Sequence, residues 1–149
     1  MPKLKEISLE FQDKIVILTG AAGGIGTALA REFAGRGARL ALCDLNAAAL
    51  EALAGELGAL HMVCDVTVES HIQALVAEVE ARLGPVDIFF SNAGFSSGEP
   101  DHAASAPDRI WQASWEVHVM AHVYACRALL PAMRARGQGY LVQMASAAG

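Results

Sequence analysis

The sequence predicts an α/β protein with a parallel sheet and helices on both faces, and three observations carry that reading. Short apolar runs alternate strictly with helix-spaced segments along the 149 residues. The runs are apolar throughout rather than every second residue, as burial on both faces requires. Several stop at a glycine or an aspartate, where a parallel strand hands over to its right-handed crossover. Composition agrees with an ordered chain: 54% of residues are hydrophobic and the mean hydropathy is +0.34. At this length folding removes roughly 68–70% of the unfolded surface from water, so a single domain over residues 1–149 needs neither disulfide nor structural metal.

Each element has its own warrant. KIVILT, residues 14–19, is rich in branched side chains and closed by a glycine, which predicts a buried first strand. Ile25, Leu29, Ala30 and Phe33 recur at helical spacing until Gly35 and Gly37 end the pattern. ARLALCD, 38–44, predicts the second strand and stops at an acid; Asn46 is a good cap for the helix that follows. ALHMVC, 59–64, predicts a third strand running into Asp65, with Thr67 expected to cap a helix whose apolar face is Ile72, Leu75, Val76, Val79 and Leu83. Gly84 and Pro85 end that helix, and VDIFFS, 86–91, predicts strand four. Residues 95–107, rich in Ser, Pro, Gly and Ala, read as a surface loop; a long helix is expected from about Ser114 to Arg136, with Pro131 bending or ending its last turns. Residues 139–146 predict the fifth strand.

Charge and cysteines limit the partners. The formal charge of -5 argues against nucleic acid. No apolar run reaches the roughly 18 residues of a membrane span, and charges occupy the N-terminus where a signal peptide would need its apolar stretch. Cys43, Cys64 and Cys126 are odd in number and form no C-x-x-C, which suits a reduced compartment. A cytoplasmic protein is expected.

The chemistry begins between the first strand and the first helix. Thr19-Gly20-Ala21-Ala22-Gly23-Gly24-Ile25-Gly26 is a glycine-rich turn at a helix N-terminus, where backbone N–H groups and a favourable partial charge suit a dinucleotide pyrophosphate. Gly20 permits the tight turn, Gly24 the close approach of the ligand, and Gly26 the packing of helix on sheet. Asp44, which ends the second strand, can accept from both hydroxyls of the adenosine ribose and would repel a 2′-phosphate. No arginine or lysine lies in the turn or just after Asp44, so NAD is expected rather than NADP.

With these residues in place the chain resembles the short-chain dehydrogenase/reductase family over essentially its whole length. T-G-x-x-x-G-x-G is present as Thr19 to Gly26, and Asp65-Val66 is similar to the family's adenine-contacting pair. Ser91-Asn92-Ala93-Gly94 is similar to N-N-A-G, with serine for the first asparagine, and Ser146-Ala147-Ala148-Gly149 resembles the segment with the catalytic serine. The resemblance implies a Rossmann-like sheet of strand order 3-2-1-4-5. It implies hydride transfer between NAD and a small-molecule alcohol or carbonyl substrate, and a homo-oligomer. The implied coenzyme-binding residues are Thr19, Gly20, Gly24, Ile25, Gly26, Asp44, Leu45, Asp65, Val66, Asn92, Ala93 and Gly94, and the implied catalytic residues are Ser146 and His118.

Two departures stand out. The family's Tyr-x-x-x-Lys follows the serine by about a dozen residues, whereas here neither Tyr124 nor Tyr140 has a lysine at that spacing and every lysine precedes the glycine turn. The natural chain is therefore expected to continue past Gly149, the alternative being an inactive NAD-binding module. His118 stands where the family's fourth helix usually has asparagine; an imidazole there can hold a water, pass a proton itself, or merely replace the amide. His118 and His122 have metal-ligand spacing but no third ligand, and no metal is expected. Trp111 and Trp115 are expected to pack against the sheet or a second subunit.

Overall fold

The structure, a computed structural model, describes residues 10–96 and 105–146. Five parallel strands lie in the order β3-β2-β1-β4-β5, as expected. Central β1 (Ile15–Thr19) is buried at every residue and lies between β2 (Arg39–Asp44) and β4 (Ile88–Ser91). β3 (Leu60–Val63) and β5 (Tyr140–Gln143) flank these, and β5 is shorter than its apolar run. The register sets Thr19 opposite Cys43 and Asp44 opposite Val63, so the carboxyl ends of the strands share one edge of the sheet.

Period-two alternation sends β1 side chains into two cores. Val16 and Leu18 join Phe33, Leu42, Leu50 and Ile88 on the face covered by α1 (Gly24–Gly35) and α2 (Ala47–Leu57). Ile15 and Ile17 join Ile72, Val79, Phe89 and Leu129 on the face covered by α3 (Glu69–Arg82) and α5 (Ala121–Arg136). Each such side chain contributes roughly 1.5–3 kcal/mol when fully buried.

Asn46 caps α2 as expected, its side chain accepting from the Ala49 amide at 3.2 Å, and Gly58 ends that helix at φ 62°. Thr67 does not cap α3: Val68 holds that position without a side-chain bond, because the Thr67 hydroxyl and amide both donate to the Asp65 carboxylate. The long helix begins six residues before the expected Ser114, with α4 (Asp108–Trp115), passes through a π-helical turn (Glu116–Met120) and continues as α5 through Pro131. Pro131 therefore does not end it. No residue of α4 is buried, and Trp111 and Trp115 are more than half exposed rather than packed on the sheet. No helix among the described residues is long and apolar enough to cross a membrane.

Candidate functional site

The turn after β1 is held in shape from the neighbouring strand. The buried Thr19 hydroxyl accepts the Asn92 and Ala93 amides, each at 3.0 Å, while Asn92 Nδ2 donates to the carbonyls of Thr19 and Gly20 at 3.1 and 3.2 Å. Gly20 adopts φ +64°, and a Cβ there would sit 2.7 Å from Ala93 Cα, so conformation and close packing both require glycine. A Cβ on Gly26 would collide with the Gly20 carbonyl oxygen and approach Ala21 Cα to 2.8 Å. Gly26 thus lets α1 pack on the turn itself, rather than on the sheet as expected.

Gly24 is the contrast. A Cβ there would meet nothing within 4 Å, so the fold has no internal reason for that glycine. Gly23, the cap position before α1, provides no side-chain cap, and the first turn of the helix has no acidic residue. The leading amides of a helix have no acceptor within it, so this end is positive and open to an anion. The residues present therefore fit a bound diphosphate.

Asp44 lies beside the turn at the end of β2. One carboxylate oxygen accepts the Ala22 amide at 3.0 Å and the other the Asn46 amide at 2.9 Å. A carboxylate has about four lone-pair sites, so each oxygen can accept once more. Ile25 and Leu45 present exposed apolar side chains near the same edge, 62% and 67% exposed. Asp65, at the end of β3, uses one oxygen for the Thr67 amide and hydroxyl at 2.9 and 2.7 Å, and its amide donates to His71 Nδ1 at 3.3 Å. The side chain of Val66 is buried in the core. Cys43 and Cys64 precede the two acids and are buried; the hydrogen bond to Cys64, with burial, holds the Cys43 thiol well above the usual range.

At the end of β4, Gly94 lies against His118: a Cβ on the glycine would be 3.0 Å from Nε2. His118 lies in the π-helical turn, and its Nε2 accepts the Phe95 amide at 3.2 Å. The two rings are 5.3 Å apart between centroids, inclined at 32°. Neither this partner nor the Ala22 contact of Asp44 was legible in the sequence, since backbone amides carry no residue signature. His122 lines a small cavity with Thr19, Ser91, Phe89 and Val117; its Nδ1 is buried without a hydrogen-bond partner. Burial, and secondly the neighbouring His118, lower its pKa below the usual histidine value.

The Met144 amide donates to the Ser91 carbonyl at 2.9 Å, which leads the chain from β5 along the same edge to an exposed Ser146. Ala147, Ala148, Gly149 and most of the loop expected over 95–107 lie outside the described residues. Hydrogen bonds and close packing thus join Thr19 to Gly26, Asp44, Asn92 to Gly94 and His118 into one edge, with Asp65 on the next strand. Among the described residues no group of three or more His, Cys, Asp or Glu side chains is placed to hold a metal ion.

Comparison with known proteins points the same way. A family model described as short chain dehydrogenase matches residues 14–149. D-threitol dehydrogenase of Mycolicibacterium smegmatis is 36% identical, over 99% of this chain and 60% of its own length. Galactitol 2-dehydrogenase (L-tagatose-forming) of Cereibacter sphaeroides is 41% identical, over 89% of this chain and 52% of its own. A short chain dehydrogenase/reductase from Burkholderia phymatum, solved in complex with NAD, superposes with a TM-score of 0.87 at 29% identity, over 95% of this chain and 52% of that one. A metagenomic short-chain oxidoreductase solved in complex with NADP gives 0.82 at 29% identity, over 93% and 64%. The chain spans about half the length of the curated relatives it matches.

Proposed function

The chain belongs to the short-chain dehydrogenase family, and from that premise we propose that it binds NAD and supports hydride transfer to or from an alcohol or carbonyl substrate. The observation that carries this reading is the open, uncapped start of α1 at Gly24 beside the fixed Asp44 carboxylate. The amides of Gly24, Ile25 and Gly26 would hold the diphosphate, and Asp44 the ribose hydroxyls. Asp65 and the backbone of Val66, whose side chain is buried in the core, would border the adenine, with Leu45 beside it. Thr19, Gly20 and Asn92 would keep the turn in shape, while Ala93 and Gly94 would border the second ribose. Bound nicotinamide supplies the hydride donor or acceptor. Ser146 would hold the substrate oxygen by its hydroxyl. No Tyr-x-x-x-Lys occurs in the 149 residues, so the proton step is not assigned to residues of this chain.

The preference for NAD rests on charge. Asp44 brings a negative group to the ribose, and the residues from Thr19 to Gly26 and from Leu45 to Leu50 include neither lysine nor arginine. Relatives and neighbours are named for both coenzymes, so the preference for NAD rests on Asp44 alone. Hydrogen bonds to a charged acceptor contribute about 1.5–3 kcal/mol each. Calorimetric titration should therefore show NAD binding more tightly than NADP, and Asp44→Ala should weaken NAD about tenfold or more while narrowing the preference. Absence of binding by either dinucleotide would overturn the reading; an unchanged NAD/NADP ratio in the variant would remove Asp44 from the site.

A further inference from the structure

His118 offers two ring nitrogens, and the structure shows how one is engaged. We infer that His118 is a positioning residue and not a proton carrier through Nε2: that nitrogen clamps the backbone of Phe95 and fixes the stretch from Gly94 to Phe95 at the mouth of the site. The inference rests on the proposed coenzyme reading, since that stretch matters for binding only if the dinucleotide lies along this edge.

Three contacts act together. Nε2 accepts the Phe95 amide at 3.2 Å, the Phe95 ring packs at a tilt against the imidazole with centroids 5.3 Å apart, and Gly94 lies so close that a Cβ there would be 3.0 Å from Nε2. An imidazole nitrogen that accepts a hydrogen bond through its ring-plane lone pair carries no proton, so the neutral ring has its hydrogen on Nδ1. That lone pair is also the one a proton relay through Nε2 would use, so the clamp and the relay exclude each other. The π-helical turn presents the ring: an i→i+5 turn admits one more residue than an α turn, and such turns recur where a helix must offer a side chain to a functional site. Anchored here, the backbone leaves β4 in a fixed direction, with Phe95 41% exposed at the start of the segment expected to line the substrate side.

Two measurements on the 149-residue chain test the clamp without any dinucleotide. In the 15N-labelled protein at neutral pH, the two-bond nitrogen–proton correlations of His118 should show the Nδ1–H form. In His118→Leu, the Phe95 amide should exchange about two- to tenfold faster, the span a net hydrogen bond of 0.5–1.5 kcal/mol allows. A His118 ring protonated on Nε2 in the unmodified chain overturns the inference, as does unchanged Phe95 exchange in a folded variant. The positioning role is then read by NAD titration: His118→Leu should lose about two- to tenfold in affinity, and His118→Gln, which keeps an acceptor, should recover most of it. Equal losses in the two folded variants, or no loss in either, overturn positioning. If the unmodified chain binds no dinucleotide, the coenzyme reading fails and the tautomer and exchange results still decide the clamp.

Discussion

Asp44, Gly24 and His122 illustrate how far a single residue can be read. The place of Asp44 at the end of β2 was legible, because it closes an apolar run; its bonds to the Ala22 and Asn46 amides were not. The glycines look alike in the sequence and differ in the fold. Gly24→Ala adds a methyl into open space and removes backbone freedom from the unfolded chain, so it should stabilise by about 0.4–1 kcal/mol. It should also abolish or sharply weaken NAD binding. Gly26→Ala meets the Gly20 carbonyl and should lower stability by about 1–3 kcal/mol, the usual cost of overpacking. Urea melts and calorimetry on the pair separate ligand contact from internal packing. His122 predicts a pH effect. Its folded-state pKa lies below the ordinary 6.5, chiefly through burial, so the unfolded chain takes up its proton first as pH falls. Stability should then drop from about that value down to the lowered folded one and lose no more from this group below it. Melts of His122→Leu against pH should lack this component.

At the scale of elements, continuous apolar runs made every strand legible, but burial on both faces holds for β1 and most of β2 and β4 only; the edge strands β3 and β5 have no fully buried residue. Caps were legible where the side chain was free to act. Asn46 has no competing partner and accepts from Ala49; replacing it with alanine should cost about 1 kcal/mol, measured as a shift in urea midpoint at constant slope. Thr67 had a competitor two residues away in Asp65, and the short-range bond won. The start of α4 was hidden because Pro107 and Asp108 close a stretch whose Ser, Pro and Gly content reads as loop, although proline before an acid is also a sound helix opening. The π-helical turn has no sequence signal that separates it from the α-helices on either side, so the aim of His118 could not be foreseen.

Across the whole molecule alternation predicted the parallel sheet and the family resemblance its strand order, and the division into two cores follows from the pleat of β1. Phe89, 1% exposed, lies under the site on the α3 and α5 side of the sheet. Phe89→Ala should cost about 3–5 kcal/mol in urea unfolding, because the surrounding sheet and helices can close only part of the space it leaves. One feature of the edge above it bears on how a ligand is received. Amides on either side hold the Asp44 carboxylate before anything arrives. Those two bonds orient the side chain in advance, so under the proposed function ribose binding need not add the roughly 0.5–1.5 kcal/mol entropic cost of immobilising a mobile side chain. On that proposal the folding of the turn, not the encounter with a sugar, has already met that cost.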